Sequence, residues 1–350
     1  MSIILFVFIL ALLILSHEFG HFIIAKKSGV RVDEFGFGFP PRLLKFKKGE
    51  TIYSINLIPF GGFVKIYGEE GAEKQDPRSF ASKPISIRAL VIAAGVIFNI
   101  FLGWILISSG YMVGLPTSVS SAPAGAEISE RSIIILEVRN GTPAEIADLK
   151  AGDKILGFNS IEEFQSFVAE NKGREVKLNY QRGEENFSAK ITPRADPPQG
   201  QGSLGISLDE IGIVKIPWYR AVWEGAKVTY NLLITIAVSI YMFVANAIKG
   251  LAGFEQVLGP VGIVTVTGTV AKMGFAYILN FVALLSINLA IINILPFPSL
   301  DGGRLLFLAI EKIKGSPVNP KISGIIHSIG LALLLILMLA ITYHDIMRLI

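Results

Sequence analysis

His17-Glu18-Phe19-Gly20-His21 has the residue types and the spacing of a metal site. On a helix, residues four apart share one face, a turn apart. Both imidazoles can therefore reach one Zn²⁺ at roughly 2.0–2.1 Å. Glu18 sits beside that face, where a carboxylate can take a proton from an attacking water. Two histidines leave a catalytic zinc short of its usual three protein ligands. The chain has no cysteine, so thiolate ligands and disulfides are excluded and the third ligand is His, Asp or Glu. Asp301 is the best candidate, because it ends an apolar stretch in the turn Leu300-Asp301-Gly302-Gly303, where glycine lets backbone come close to a ligand.

The elements that must carry these residues are membrane helices. The chain has 350 residues, 51% of them hydrophobic and 17% charged, and a mean hydropathy of +0.56. That composition belongs to a polytopic membrane protein with some soluble mass. Residues 3–15 are an unbroken apolar run, and the apolar character continues to Ala25. Residues 2–25 span about 36 Å as a helix, enough to cross a bilayer. The metal motif thus lies inside a transmembrane helix, nearer its C-terminal end. Ionisable groups at such a depth are costly and mark function. The N-terminus lacks a basic n-region and its apolar segment holds the motif, so a cleaved signal peptide is not expected. No internal repeat or long low-complexity tract is present. The sequence pI of about 9.1 comes from loop lysines and arginines and not from a nucleic-acid patch.

The loop over 26–88 holds 12 Lys and Arg against 7 Asp and Glu, which marks it as cytoplasmic. The first helix therefore runs outside to inside. Within the loop, Phe35-Gly36-Phe37-Gly38-Phe39-Pro40 alternates aromatic residues with glycine. Residues 51–58 and 62–67 read as short strands broken by Pro59-Phe60-Gly61-Gly62. Apolar strands beside a membrane helix are expected to be re-entrant, which is tolerated where protein covers them; the alternative is a surface hairpin with exposed aromatics. Residues 89–113 form a second span. There Gly95 allows close helix approach, and Asn99 is either a satisfied packing residue or a functional one.

From 115 to 217 the character changes to an α+β soluble domain. Strands are expected at 132–138, 154–159, 176–182 and 185–192, with helices at 144–149 and 161–171, and a Pro/Gly/Gln-rich linker at 196–203. Residues 218–250 look like a span, but their apolar core, 232–245, is short. Arg220, Glu224, Lys227, Asn231, Thr235 and Ser239 recur at helical spacing. That stripe predicts an interfacial amphipathic helix. Residues 274–295 are a clear span, and 322–343 are the last. His327 reads as an interfacial or helix-packing histidine.

The order of elements over 132–192, and "GTPAEIADLKAGDKILGFN" above all, resembles a circularly permuted PDZ domain of the bacterial protease type. Asn293-x-x-Pro296-x-x-x-Leu300-Asp301-Gly302, taken with His17-Glu18-x-x-His21, resembles the site-2 protease family of intramembrane metalloproteases, regulator-of-sigma-E type. "GFGFP", "PFGGFVK", Gly95 with Asn99, and "PSLDGGRLLFLAIEKIKGSPV" extend the resemblance over nearly the whole chain. It implies that His17, His21 and Asp301 bind Zn²⁺, that Glu18 is the general base, and that Asn293, Pro296, Asn99, Phe37 and Gly38 contact substrate. It implies single-span membrane-protein substrates, such as anti-sigma factors or signal-peptide remnants, and a bacterial cytoplasmic membrane. That type often carries two PDZ domains, and this chain has room for one.

The resulting expectation is a polytopic α-helical membrane protein with four spans, a cytoplasmic-side β region and one inserted extracytoplasmic PDZ domain. The segments are 1–114, 115–217, 218–250 and 251–350. Parity supports four spans, since Asp301 reaches the depth of the histidines only if its helix also runs outside to inside. The PDZ peptide groove is expected between 132–138 and 161–171. A second reading is a membrane peptide receptor whose PDZ domain binds ligands while the metal is structural.

Overall fold

The computed structural model describes residues 2–69, 75–183, 185–198, 200–250 and 258–349. The 26–88 loop, the 176–192 hairpin and the 196–203 linker each include residues outside that set, and so does the start of segment 251–350. The chain forms two compact units, one of residues 1–107, 225–271 and 281–350, the other of residues 108–224 and 272–280.

In the first unit, α1 (Ser2–Lys27) ends on Lys26 and Lys27, which suit the negative end of the helix dipole. Two strands follow, β1 (Val32–Lys48) and β2 (Thr51–Ile66). β2 is continuous through 59–62, where the sequence suggests a break. It folds around β1: Phe35 pairs with Val64 on one side and with Tyr53 on the other. Gly36 takes this course because a Cβ there would lie 2.4 Å from the Phe63 ring. Gly38 takes it through φ +79, a left-handed backbone that glycine adopts at little cost. The far part of the hairpin exposes Leu43, Leu44, Phe46, Leu57 and Ile58.

Helix α2 (Ile85–Val113) starts just after Pro84, earlier than hydropathy suggests. Val91 and Ile92 on α2 join Phe22, Ala25, Val32, Ile66 and Leu308 in one buried apolar cluster. Later come α5 (Trp218–Ile248), α6 (Pro260–Met273), α7 (Phe275–Ile294), α8 (Asp301–Lys314) and α9 (Pro320–Leu349). The sequence reading has no α6. Its start is held by Asp345 of α9, which accepts from Gly259 N at 3.3 Å and Gly262 N at 2.8 Å. Among the described residues five helices are long and apolar enough to cross a membrane: α1, α2, α5, α7 and most of α9.

The second unit holds a six-stranded sheet in the order β3-β8-β4-β5-β6-β7. The strands are β3 (Leu115–Ser118), β4 (Glu127–Val138), β5 (Lys154–Ile155), β6 (Val176–Arg182), β7 (Glu185–Ile191) and β8 (Ile206–Lys215). Between them lie the short helices α3 (Pro143–Ile146) and α4 (Ile161–Glu170). Each begins on a hydroxyl cap. Thr142 Oγ1 accepts from Glu145 N and Ser160 Oγ from Glu163 N, and each glutamate reaches back to the backbone before its cap. Ile133, Ile135, Ile155, Phe164, Leu178 and Tyr180 form the core.

β8 corrects the groove. It covers β4 from Glu127 to Val138, and β5 takes the other edge at Ile133 and Ile134. The strand beside α4 is therefore β8. β3 covers β8 only at 211–214, which leaves 206–210 without a strand on that edge among the described residues. β8 is hard to read from sequence because its partners are distant and it follows a polar linker.

An ion pair between a buried carboxylate and a half-buried guanidinium staples this sheet. Asp153 has a side chain 1% exposed and accepts from Arg182 Nε at 2.7 Å, Arg182 Nη2 at 2.8 Å and Lys150 N at 2.8 Å. Those bonds push the Arg182 guanidinium further up, while Arg182 and Lys150 hold the exposed Asp148 carboxyl below the usual range. Removing one partner of such a pair costs about 3 kcal/mol or more. In the full-length protein, Arg182→Met should speed proteolysis within 127–215 by about a hundredfold. Lys190→Met, which breaks the exposed pair with Glu175, should change it less than about twofold. Equal rates for the two variants would contradict the staple.

Candidate metal centre and active-site cavity

The site begins with two glycines. A Cβ on Gly20 would lie 2.4 Å from the Ala94 carbonyl oxygen, so α1 and α2 touch there backbone to backbone. A Cβ on Gly95 would lie 2.4 Å from His21 Nε2 and 2.6 Å from His17 Cε1. The space that Gly95 leaves is filled by the two imidazoles. Close helix approach through small residues is how membrane helices pack; here it also makes room for polar rings.

The tautomer of His21 follows from its partner. Nδ1 lies 2.8 Å from the Val91 carbonyl, which can only accept, so Nδ1 carries a proton and in the neutral ring Nε2 keeps its lone pair. That Nε2 is 3.2 Å from His17 Nε2. Asp301 Oδ2 lies 3.1 Å from His17 Nε2 and 3.3 Å from His21 Nε2. Among the described residues these three are the group that could hold a metal ion.

The donor set fits zinc. Tetrahedral bonds of about 2.0–2.1 Å put neighbouring ligand atoms about 3.3–3.4 Å apart, close to the three separations observed. A neutral His21 has no proton on Nε2 to give, and among the described residues the buried Asp301 Oδ2 has no hydrogen-bond partner besides its close approach to the two imidazoles. Lone pairs and an anionic oxygen aimed at one point need a cation between them.

Asp301 opens α8 and is brought in by a tight turn. A Cβ on Gly302 would lie 2.1 Å from the Ile294 carbonyl oxygen, and one on Gly303 would lie 2.3 Å from that of Phe297. The chain therefore folds back over the first turn of α8. Ser299 in that turn has φ +78, a left-handed value that costs a non-glycine residue about 1 kcal/mol or more. His327 of α9 holds it there: Ser299 N donates to His327 Nδ1 at 2.9 Å, and Ser299 Oγ donates to the His327 carbonyl at 2.6 Å. His327 is thus a helix-packing histidine that also braces the turn before Asp301.

Beside the three residues lies a cavity of about 380 Å³. His17, Glu18, His21, Asn293, Asp301 and Arg304 line it, together with Gly61, Gly62, Phe63, Val64 and Ile66 of β2. A Cβ on Gly62 would lie 3.1 Å from Glu18 Cγ, so the strand runs directly past the glutamate.

Of the residues expected to contact substrate, Asn293 lines the cavity; Pro296, Asn99, Phe37 and Gly38 do not. Pro296 lies in the α7–α8 turn. Asn99 is buried, and its side-chain amide has no partner among the described residues. Phe37 pairs with Gly62, one strand back from the cavity, and the Gly38 carbonyl accepts from Asn56 Nδ2 at 2.9 Å. Sequence reasoning did not single out Arg304, three residues after Asp301, or Glu69. Arg304 lies on the same helix face as the aspartate, and that spacing was the available signal.

These features define a polytopic membrane protein with a buried metal centre beside a strand-lined cavity. Residues 5–337 match the family described as Peptidase family M50. A putative zinc metalloprotease of Clostridium acetobutylicum is 33% identical over 353 residues, covering 99% of this chain and 97% of the relative. The regulator of sigma-W protease RasP of Bacillus subtilis is 31% identical over 438 residues, covering 99% of each chain. A solved PDZ domain of an SdrC-like protein from Listeria monocytogenes is 31% identical over 23% of this chain and 92% of its own, at a TM-score of 0.21. The chain belongs to Peptidase family M50, the site-2 protease family. It is a zinc-dependent membrane metalloprotease of regulated intramembrane proteolysis.

Gly95 gives a sharp test of the geometry. Gly95→Ala puts a methyl where the imidazoles lie, and zinc affinity should fall roughly 10- to 100-fold, as when the support of a ligand is lost. Competition against a graded series of chelators measures this. Gly103→Ala, which crowds Ile287 on the same helix, should leave zinc affinity unchanged. Unaltered affinity in Gly95→Ala would contradict the close approach.

Proposed function

We propose that His17, His21 and Asp301 are the zinc ligands, that Glu18 is the general base, and that the bond cleaved lies in or beside a substrate's transmembrane segment. One observation carries this reading. Two imidazole nitrogens and a carboxylate oxygen meet, 3.1 to 3.3 Å apart, at a cavity that Glu18 also lines, on helices long enough to cross a bilayer.

Zinc, when bound, polarises the scissile carbonyl and acidifies water. The chain's own groups do the rest. Val91 fixes the His21 tautomer so that its Nε2 faces the cavity. Glu18 takes the proton of the attacking water and returns it to the leaving nitrogen. A helical substrate must unwind before a peptide bond is accessible, and its freed backbone groups need partners in a medium without water. β1 is paired on both sides at Phe35. The stretch Gly62 to Ile66 has only β1 beside it among the described strands, and it lines the cavity. That edge is the one to which an unwound substrate adds as a strand. Asn293 supplies an amide that both donates and accepts.

The membrane arrangement follows from charge and parity. α1, α2, α7 and α9 cross, and the basic loops after α1 and α7 face the cytoplasm. α5 lies in the interface, where its exposed Trp218, Tyr219, Trp223, Tyr230 and Tyr241 suit the headgroup region. α6 has 14 residues, about 21 Å of helix, and is too short to cross. The histidines and Asp301 then share one depth. The segments stay 1–114, 115–217, 218–250 and 251–350, with 115–217 an extracytoplasmic PDZ domain. Its groove would lie between 206–210 of β8 and α4, entered past Leu204-Gly205-Ile206. The Bacillus subtilis relative is named as a regulator of sigma-W. By that likeness, single-span anti-sigma factors are the substrate class, with signal-peptide remnants beside them.

Glu18→Gln separates the roles. Gln keeps size and a hydrogen-bonding oxygen but accepts no proton at neutral pH. Cleavage should fall by at least about 10²-fold, while zinc stays near one per chain and uncut substrate co-purifies. Cleavage near the unsubstituted rate would remove Glu18 as the base.

A further inference from the structure

Beyond the metal cavity lies a second one of about 1030 Å³. Three residues line both cavities: Ile92, Glu69 and Arg304. Arg304 Nη1 donates to Glu69 Oε1, so an ion pair stands at the boundary. The side chains are 47% and 25% exposed, and a pair so wet adds little stability. Its value must lie in what it joins.

It joins two things that matter for the reaction. Arg304 is one helical turn past Asp301 on α8. Glu69 stands three residues past Ile66, where the cavity-lining edge of β2 ends, and Glu69 N donates to the Ile66 carbonyl at 3.3 Å. The pair therefore ties the end of the edge strand to the helix that carries a metal ligand. Ile66 and Leu308 lie in one buried cluster, with Val64 and Leu305 packed against it, so the same two segments also meet through apolar contact. At its other end the edge is fixed by Gly62 against Ile14 and Glu18. Apolar contact alone tolerates sliding. A charge-assisted hydrogen bond from Arg304 Nη1 to Glu69 Oε1 gives the far end a fixed position.

A strand added to an edge can slip by two residues and keep the same side chains on each face. Pairing to the backbone does not by itself choose the bond that is cut. That choice depends on where the edge stands relative to the metal ligands. We infer that Arg304 and Glu69 are a positioning pair that sets which peptide bond of the substrate meets the metal. The inference rests on the edge-strand reading above, with neither residue taking part in proton transfer.

The test uses the full chain, which has no cysteine of its own. Val64→Cys, in the Glu18→Gln background, is cross-linked to a single-span substrate carrying one cysteine at each position through the cleavage region in turn. Product masses, kcat and KM are measured in the catalytically intact chain. With the ion pair present, cross-linking should peak at one substrate position and one bond should be cut. In Glu69→Gln and Arg304→Ala, the peak should spread to positions two residues away. Adjacent bonds should then be cut, and kcat should fall by about tenfold, since small misplacements of reacting atoms are costly. KM and zinc content should hold. Arg304→Lys, which keeps the charge, should keep the single site. The exchange Glu69→Arg with Arg304→Glu should restore it, a rescue that a merely structural role would not give. One unshifted peak and one product in both Glu69→Gln and Arg304→Ala would overturn the inference while leaving the edge-strand reading intact. Failure of the exchange to restore the single product would also overturn it. Absence of any cross-link peak in the parent would overturn the edge-strand reading, and this inference with it.

Discussion

Two imidazoles occupy the space a side chain would need at Gly95, and the Ala94 carbonyl occupies the space it would need at Gly20. Everything else in the site depends on that contact between α1 and α2. A bilayer offers no water to solvate a histidine pair, so the protein must surround it and satisfy it. α2 does both at once: its surface closes over the rings, and its Val91 carbonyl accepts a hydrogen bond from His21 Nδ1. A side chain at either glycine would push the helices apart and leave the rings facing lipid.

The turn that carries Asp301 shows the same economy. α7 ends in a turn whose carbonyls lie where side chains of Gly302 and Gly303 would otherwise stand. Packing that close places Asp301 at the start of α8, against the histidines. Ser299 carries the strain of the turn, and His327 on α9 holds it with two hydrogen bonds. Five helices thus contribute to one point, α2, α7 and α9 partly through backbone. On the open side stands β2, whose Gly62 brings main chain to Glu18. His17, His21, Asp301 and Glu18 then line one small cavity together with Gly62, Phe63, Val64 and Ile66 of β2.

The sequence displayed the chemistry better than the architecture. That His17, Glu18 and His21 stand together was legible because a helical repeat fixes their spacing locally, and Asp301 stood out because a glycine turn after an apolar stretch is a local signal too; the structure brings the four to one cavity. The family was legible from the same motifs. Features made by distant contact were not. β2 reads as two strands since Pro59 and the following glycines suggest a break, yet pairing to both sides of β1 carries it through. β8 is a plain strand whose partners lie up to about a hundred residues upstream. Phe37 and Gly38 are expected contact residues by the family resemblance alone; in the structure Gly38 has a positive φ and Phe37 pairs with Gly62, so neither lines the cavity. Nothing local tells that Arg304 meets Glu69 or that His327 braces a turn 28 residues away.

The most direct measurement is X-ray absorption at the zinc edge of the purified full-length protein, with and without Asp301→Ala. Two imidazole nitrogens and carboxylate oxygen should surround one zinc ion in the unsubstituted chain. In Asp301→Ala the imidazole signal should persist while the oxygen contribution changes and affinity falls. An identical spectrum in the variant, or zinc bound without two imidazoles, would contradict the three-residue site on which the account stands.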